Sequence, residues 1–143
     1  MARRRQIRQL RALEVPDAVV LDAEGLSAGA QGNLRVRAEL TVAEALGARV
    51  HVSSVTLAEV LRRKPRDARV HLLLSGIEKA PVTAALGRAA GELLGRASRN
   101  DTVDAVVAVT ARSVGQHVRL ITADPTDLRA LTADMPGVTV VPI

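Results

Sequence analysis

Val15-Pro16-Asp17-Ala18-Val19-Val20-Leu21-Asp22, residues 15–22, is the most informative stretch of the chain. Pro16 breaks any helix that precedes it. The four residues after Asp17 are all apolar, and two of them are β-branched. A run with no polar alternation has no solvent face, so it predicts a short strand buried on both sides, as at the centre of a parallel sheet. Working outward, Gly25, Gly29 and Gly32 punctuate the next stretch, and residues 34–46 then carry Leu34, Val36, Leu40, Val42, Ala43 and Leu46 at helical spacing, with Gly47 as a stop. Residues 49–52 read as a second strand, after which Ser53 or Ser54 can cap a helix over 55–61. Helices are predicted over 67–74, 83–96 and 125–131, and extended pieces over 77–82, 117–122 and 138–141. Residues 102–114 contain Ala105-Val106-Val107-Ala108-Val109, whose β-propensity competes with a helix capped by Asn100 or Asp101. Length and cap favour a buried helix. Strands alternating with helices indicate an α/β fold, a three-layer α/β/α sandwich with a mainly parallel central sheet.

The chain of 143 residues is 48% hydrophobic and 24% charged, which suits one domain with a single core of ordinary size. Residues 15–143 form that domain. Residues 1–14 are a basic extension with Arg3, Arg4, Arg5, Arg8 and Arg11 and a helical spacing through Ile7, Leu10 and Leu13. They read as an appendage, either a contacting arm or the by-product of an upstream start site. There is no Cys, which excludes disulfides, thiolate metal sites and cysteine nucleophiles and agrees with a cytoplasmic location. No apolar stretch is long enough for export or membrane insertion. The absence of Phe, Tyr and Trp leaves a core of Leu, Val, Ile and Ala and removes the stacking platforms of an RRM or an aromatic OB-fold. A formal charge of +5, carried almost wholly by Arg, suits a polyanionic partner, because Arg forks match phosphate oxygens in pairs; solvated surface charge gives the same count.

Two acids, Asp22 and Asp124, follow predicted buried strands, at the edge where open α/β sheets place their ligands. Glu59 and Asp104 lie among core-forming neighbours, where a charge needs a partner or a cation. Each has a plainer reading. Asp22 can end a strand, Asp124 before Pro125 can cap a helix, and Thr56-x-x-Glu59 and Asp101-x-x-Asp104 have capping-box spacing. If the four converge, repulsion must be relieved, and a divalent ion does so economically. An all-oxygen set without Cys or a spaced His pair favours Mg²⁺ or Mn²⁺ over Zn²⁺, and such an ion serves phosphodiester cleavage. Asp101 and Asp127 stand three positions from Asp104 and Asp124 and are helper candidates, as is Thr122. Ser53 and Ser54 can also bond a carboxylate or phosphate, or simply cap a helix. His51, His71 and His117 share no catalytic spacing, and the Gly-rich stretch at 25–32 fits neither nucleotide-binding pattern.

The segments AVVLDAEGLSA (18–28), VHVSSVTLAEVLR (50–62), SRNDTVDAVVAVTAR (98–112) and RLITADPTDLRAL (119–131) resemble the four motifs of a PIN-domain nuclease, specifically a VapC-type toxin of a type II toxin–antitoxin system. The resemblance runs from about residue 17 to the C-terminus. It implies a Mg²⁺- or Mn²⁺-dependent endoribonuclease whose metal ligands are Asp22, Glu59, Asp104 and Asp124. It departs from the family at Ala23-Glu24, where a small polar residue is usual. It also implies an RNA substrate, a VapB-like antitoxin and a homodimer, with the apolar faces of the helices at 34–46 and 55–61 as candidate interface. The competing reading from another class is a catalytically silent PIN-like module that binds RNA or protein. A phosphotransferase or dehalogenase-like enzyme with Asp22 as nucleophile lacks its second acid, since residue 24 is Glu.

Overall fold

The computed structural model describes residues 2–6 and 15–143. Residues 2–6 are helical and exposed; the continuation expected through Ile7, Leu10 and Leu13 lies outside the described residues. From residue 15 the order is β1 (Ala18–Leu21), α1 (Ala23–Ala30), α2 (Leu34–Ala45), β2 (Arg49–Ser53), α3 (Ser54–Val60), α4 (Asp67–Leu74), β3 (Glu78–Ala80), α5 (Ala84–Ala97), α6 (Thr102–Val114), β4 (Val118–Thr122), α7 (Pro125–Leu131) and β5 (Val138–Pro142). All four strand pairings are parallel, in the order β3-β2-β1-β4-β5. The expected three-layer α/β sandwich is the observed one, with β1 at its centre and every residue of that strand buried.

Alternation along β1 divides the core in two. Val19 and Leu21, with Ile121, pack against Leu26 of α1, Val36 and Ala43 of α2, and Val70 and Leu74 of α4. Ala18 and Val20, with Leu120, face α5, α6 and α7. Residues Ala105 to Ala111 of α6 are buried on every side, so the valine run forms a helix enclosed by its neighbours. Tertiary burial decides there against local β-propensity.

Helix α1 departs from expectation, since Gly25 and Gly29 lie inside it rather than interrupting it. Each glycine costs a helix about 1 kcal/mol relative to Ala. Close packing explains the choice: a Cβ on Gly25 would stand 2.8 Å from the Ile121 carbonyl oxygen, and one on Gly29 3.0 Å from Val36 Cγ1. The helix thus lies almost against the sheet, and its N-cap, Asp22, is held at the sheet edge.

The chain runs outward from β1 through β2 to β3, then returns to the other side of β1 for β4 and β5. The direction of winding therefore reverses between β1 and β4, which opens a crevice beyond their C-terminal ends. Asp22 follows β1, Thr122 ends β4, and Ser53 ends β2 next to it.

Candidate metal centre

Asp22 is 9% exposed, and its Oδ1 accepts the Gly25 N–H at 2.7 Å, so it caps α1 as the plainer reading expects. Burial raises its pKa, and the Thr122 hydroxyl and the Gly25 N–H only partly offset this. One oxygen serves the helix. The remaining charge faces the crevice.

Glu59 is the penultimate residue of α3, whose N-cap is Ser53, so Thr56-x-x-Glu59 is not a capping box. Its carboxyl is also raised, first by burial and then by the charges of Asp22 and Glu24. Asp104 sits in the first turn of α6, where the helix dipole favours a negative charge. Burial, followed by the charges of Asp127, Asp101, Asp22 and Glu59, nevertheless pushes it up to about 6. Burial and repulsion together outweigh the dipole. Asp22, which follows β1, and Glu59 on α3 are thus near enough to Asp104 on α6 for their charges to act on it.

Asp101, Asp104 and Asp127 each place a carboxylate oxygen within 4.8 Å of the other two. Asp101 occupies the N-cap position of α6 but makes no side-chain cap bond; it accepts from Arg99 Nε at 2.9 Å instead. Asp124 likewise stands at the N-cap of α7 without a side-chain cap bond. It is exposed, and its N–H donates to Thr122 Oγ1 at 3.0 Å. From the Asp124–Asp127 pair, then, the three-carboxylate group takes Asp127. Thr122 is fully buried and braces both Asp22 and the backbone of Asp124.

Two residues of the centre escaped the sequence reading. Glu24, noted only as a departure from pattern, adds its charge to Asp22 and Glu59. Arg99 reaches both Asp101 and Asp127, a contact across 28 positions that no local spacing reveals. The donors present are all carboxylate oxygens, and burial together with the neighbouring charges pushes Asp104 up to about 6. This set fits a hard divalent cation of the Mg²⁺ or Mn²⁺ type and does not fit a soft one.

Beside the acids, a cleft of about 590 Å³ runs between α1, α3 and α4, with Glu24 and Glu59 at one side and Arg66 and Arg69 at the other. Arg62, Arg63 and Lys64 continue the basic rim on the exposed α3–α4 loop. Asp67 shapes this loop, its Oδ2 accepting the Arg62 and Lys64 N–H groups at 2.8 and 3.2 Å. His51 lies on β2, His71 is exposed on α4, and His117 lies just before β4; none is among the three-carboxylate group.

The PIN-domain family profile matches residues 19–132. Comparison with curated protein sequences returns no match. Among solved structures, VapBC2 from Rickettsia felis bound to a DNA fragment from its promoter is similar at TM-score 0.68 and 16% identity, covering 88% of this chain and 98% of that one. A toxin–antitoxin complex from Klebsiella pneumoniae is similar at TM-score 0.66 and 21% identity, covering 87% and 99%. VapBC-5 of the VapBC toxin–antitoxin family from Mycobacterium tuberculosis is similar at TM-score 0.55 and 24% identity, covering 90% and 100%.

Proposed function

The chain belongs to the PIN-domain family, and from that premise we propose that it is a Mg²⁺- or Mn²⁺-dependent endoribonuclease, the toxin of a VapBC-like toxin–antitoxin pair. One observation carries the reading: Asp101, Asp104 and Asp127 place carboxylate oxygens within 4.8 Å of one another, and burial, together with their charges and those of Asp22 and Glu59, lifts Asp104 to about 6. Asp22, Glu59 and Asp104 would hold the ion, with Asp101 and Asp127 within reach, and Asp124 is the more peripheral acid. Such an ion supplies charge neutralisation at a phosphate and a lowered pKa for the attacking water. Arg66 and Arg69, which line the cleft, would hold the flanking RNA backbone. With no Phe, Tyr or Trp in the sequence, the hold would be through phosphates rather than stacked bases.

The same reading supplies a VapB-like antitoxin as protein partner, in keeping with neighbours that are toxin–antitoxin complexes. For a homodimer, α2 offers Leu34, Val42 and Leu46, exposed at 84%, 53% and 48%. The α3 face offers little, because Val55, Leu57 and Val60 already pack against the two cores. Light scattering coupled to size exclusion tests this; a monomer at high concentration refutes it. No helix among the described residues is long and apolar enough to cross a membrane, and a cytoplasmic site of action accords with a cysteine-free chain.

Cleavage of labelled RNA in Mg²⁺ or Mn²⁺ tests the main proposal. Asp22→Asn and Asp104→Asn are each expected to abolish cleavage while preserving the far-ultraviolet circular dichroism of the fold. Undiminished cleavage in both refutes the assignment. If Mn²⁺ binding is indifferent to Asp104→Asn, the silent PIN-like module takes its place.

A further inference from the structure

Arg99 is positioned from both ends. Helix α5 closes on Ser98 in the left-handed conformation, with φ of 53°, and the Arg99 N–H then donates to the Leu94 carbonyl at 3.0 Å. The residue thus leaves α5 in a defined direction, toward the start of α6. Its guanidinium lies between α6 and α7. Nε donates to Asp101 Oδ2 at 2.9 Å, Nη2 stands 2.8 Å from the same oxygen, and Nη2 also meets Asp127 Oδ1. Among the described residues no hydrogen bond reaches the Asp104 carboxylate, so the fork grips two members of the three-carboxylate group and leaves the third open.

We propose that Arg99 is a resident counter-cation of the acidic centre, which a divalent ion must displace in order to recruit Asp101 and Asp127. The proposal rests on the metal-centre reading above. A guanidinium and a hard divalent ion ask for the same oxygens, and at separations of a few ångströms they repel each other. Arginine cannot give up its proton in a protein, so its charge leaves the site only if the side chain moves. The side chain is 28% exposed, which leaves it a way out into solvent. Without metal, the fork keeps mutually repelling carboxylates together. With metal, it is a competitor, and it lowers the affinity of the site for the ion.

Calorimetric titration with Mn²⁺ at pH 7.5 separates these roles. Arg99→Gln, which keeps hydrogen-bonding capacity and removes the charge, should bind Mn²⁺ about tenfold more tightly than the wild type, a change of ~1.4 kcal/mol. Arg99→Lys, which keeps the charge, should stay within roughly threefold of the wild type. Equal or weaker binding by Arg99→Gln overturns the proposal, since the fork would then orient ligands rather than compete for them. The wild type gives a second readout that does not depend on how the variants fold. The Arg99 Nε–H resonance should be protected from solvent exchange in metal-free protein and lose that protection at saturating Mg²⁺. Protection that persists at saturation overturns displacement while leaving the metal centre standing. If the wild type binds no Mn²⁺ at all, the metal-centre reading falls and this inference falls with it.

Discussion

In the metal-free protein, replacing Asp104 by Asn should stabilise the fold at pH 7.5. The carboxyl is pushed up to about 6 from its ordinary 3.8, so folding forces its charge into an unfavourable place. The full difference corresponds to about 3 kcal/mol. Solvent reaches this side chain, and screening reduces the figure to roughly 1 kcal/mol. For a chain of this size that is an increase in Tm of about 2–4 °C. The sign follows from proton binding. Between pH 3.8 and about 6 the folded state binds the extra proton, so this group makes the wild type lose stability as pH rises through that window and leaves it at the reduced level above. The advantage of Asp104→Asn should therefore be present at pH 7.5 and disappear near pH 4, where both proteins carry a neutral side chain. Scanning calorimetry in chelator at the two pH values measures it, and saturating Mg²⁺ should reverse the order by stabilising only the wild type. A variant that melts lower than the wild type at pH 7.5 in chelator, or by the same margin at both pH values, refutes the claim that a buried and repelled charge destabilises this position.

Asp124→Asn should leave Mn²⁺ affinity within about threefold of the wild type, whereas Asp22→Asn should weaken it at least about tenfold; comparable losses would show that the exposed acid moves in to bind. Gly25→Ala should cost about 1–3 kcal/mol in urea unfolding, because its new methyl meets a backbone carbonyl of β4 that cannot step aside. An unchanged midpoint would mean that α1 can lift off the sheet. Arg119 forms a two-bond fork with Glu39 at 2.8 and 2.7 Å across β4 and α2. Arg119→Ala should destabilise by about 1–3 kcal/mol, between the exposed and buried limits for an ion pair, with no change in Mn²⁺ affinity; a metal-binding defect would contradict its distance from the crevice.

Much of this architecture was legible in the residues. The apolar run at 18–21 is the central strand, and the 102–114 segment is helical despite its valines, because burial on every side outweighs local propensity. The stretch containing Gly25 and Gly29 misled for a definite reason: glycine is a breaker in isolation, yet these two are where backbone and side chains of other elements come too close for a Cβ. The acids were found by type and context, but not their grouping. Asp124 and Asp127 are both early in α7, and only the path of the chain around Thr122 decides which one faces Asp104. Arg99 was invisible for the complementary reason, since its partner on α7 is brought near by the packing of α7 beside α6 and not by sequence spacing.

The pairing of Ala18 with Val118 at the middle of the sheet also orders events in time. During synthesis β1 has no neighbour on its β4 side until about a hundred further residues have been made, roughly 5–20 s at ordinary elongation rates. Until β4 and α7 are made, Asp22 lacks the Thr122 hydroxyl and Asp127 is missing from the three-carboxylate group. A chain that stops short of α7 therefore cannot assemble the three-carboxylate group, and any chemistry that depends on the group must wait for that helix.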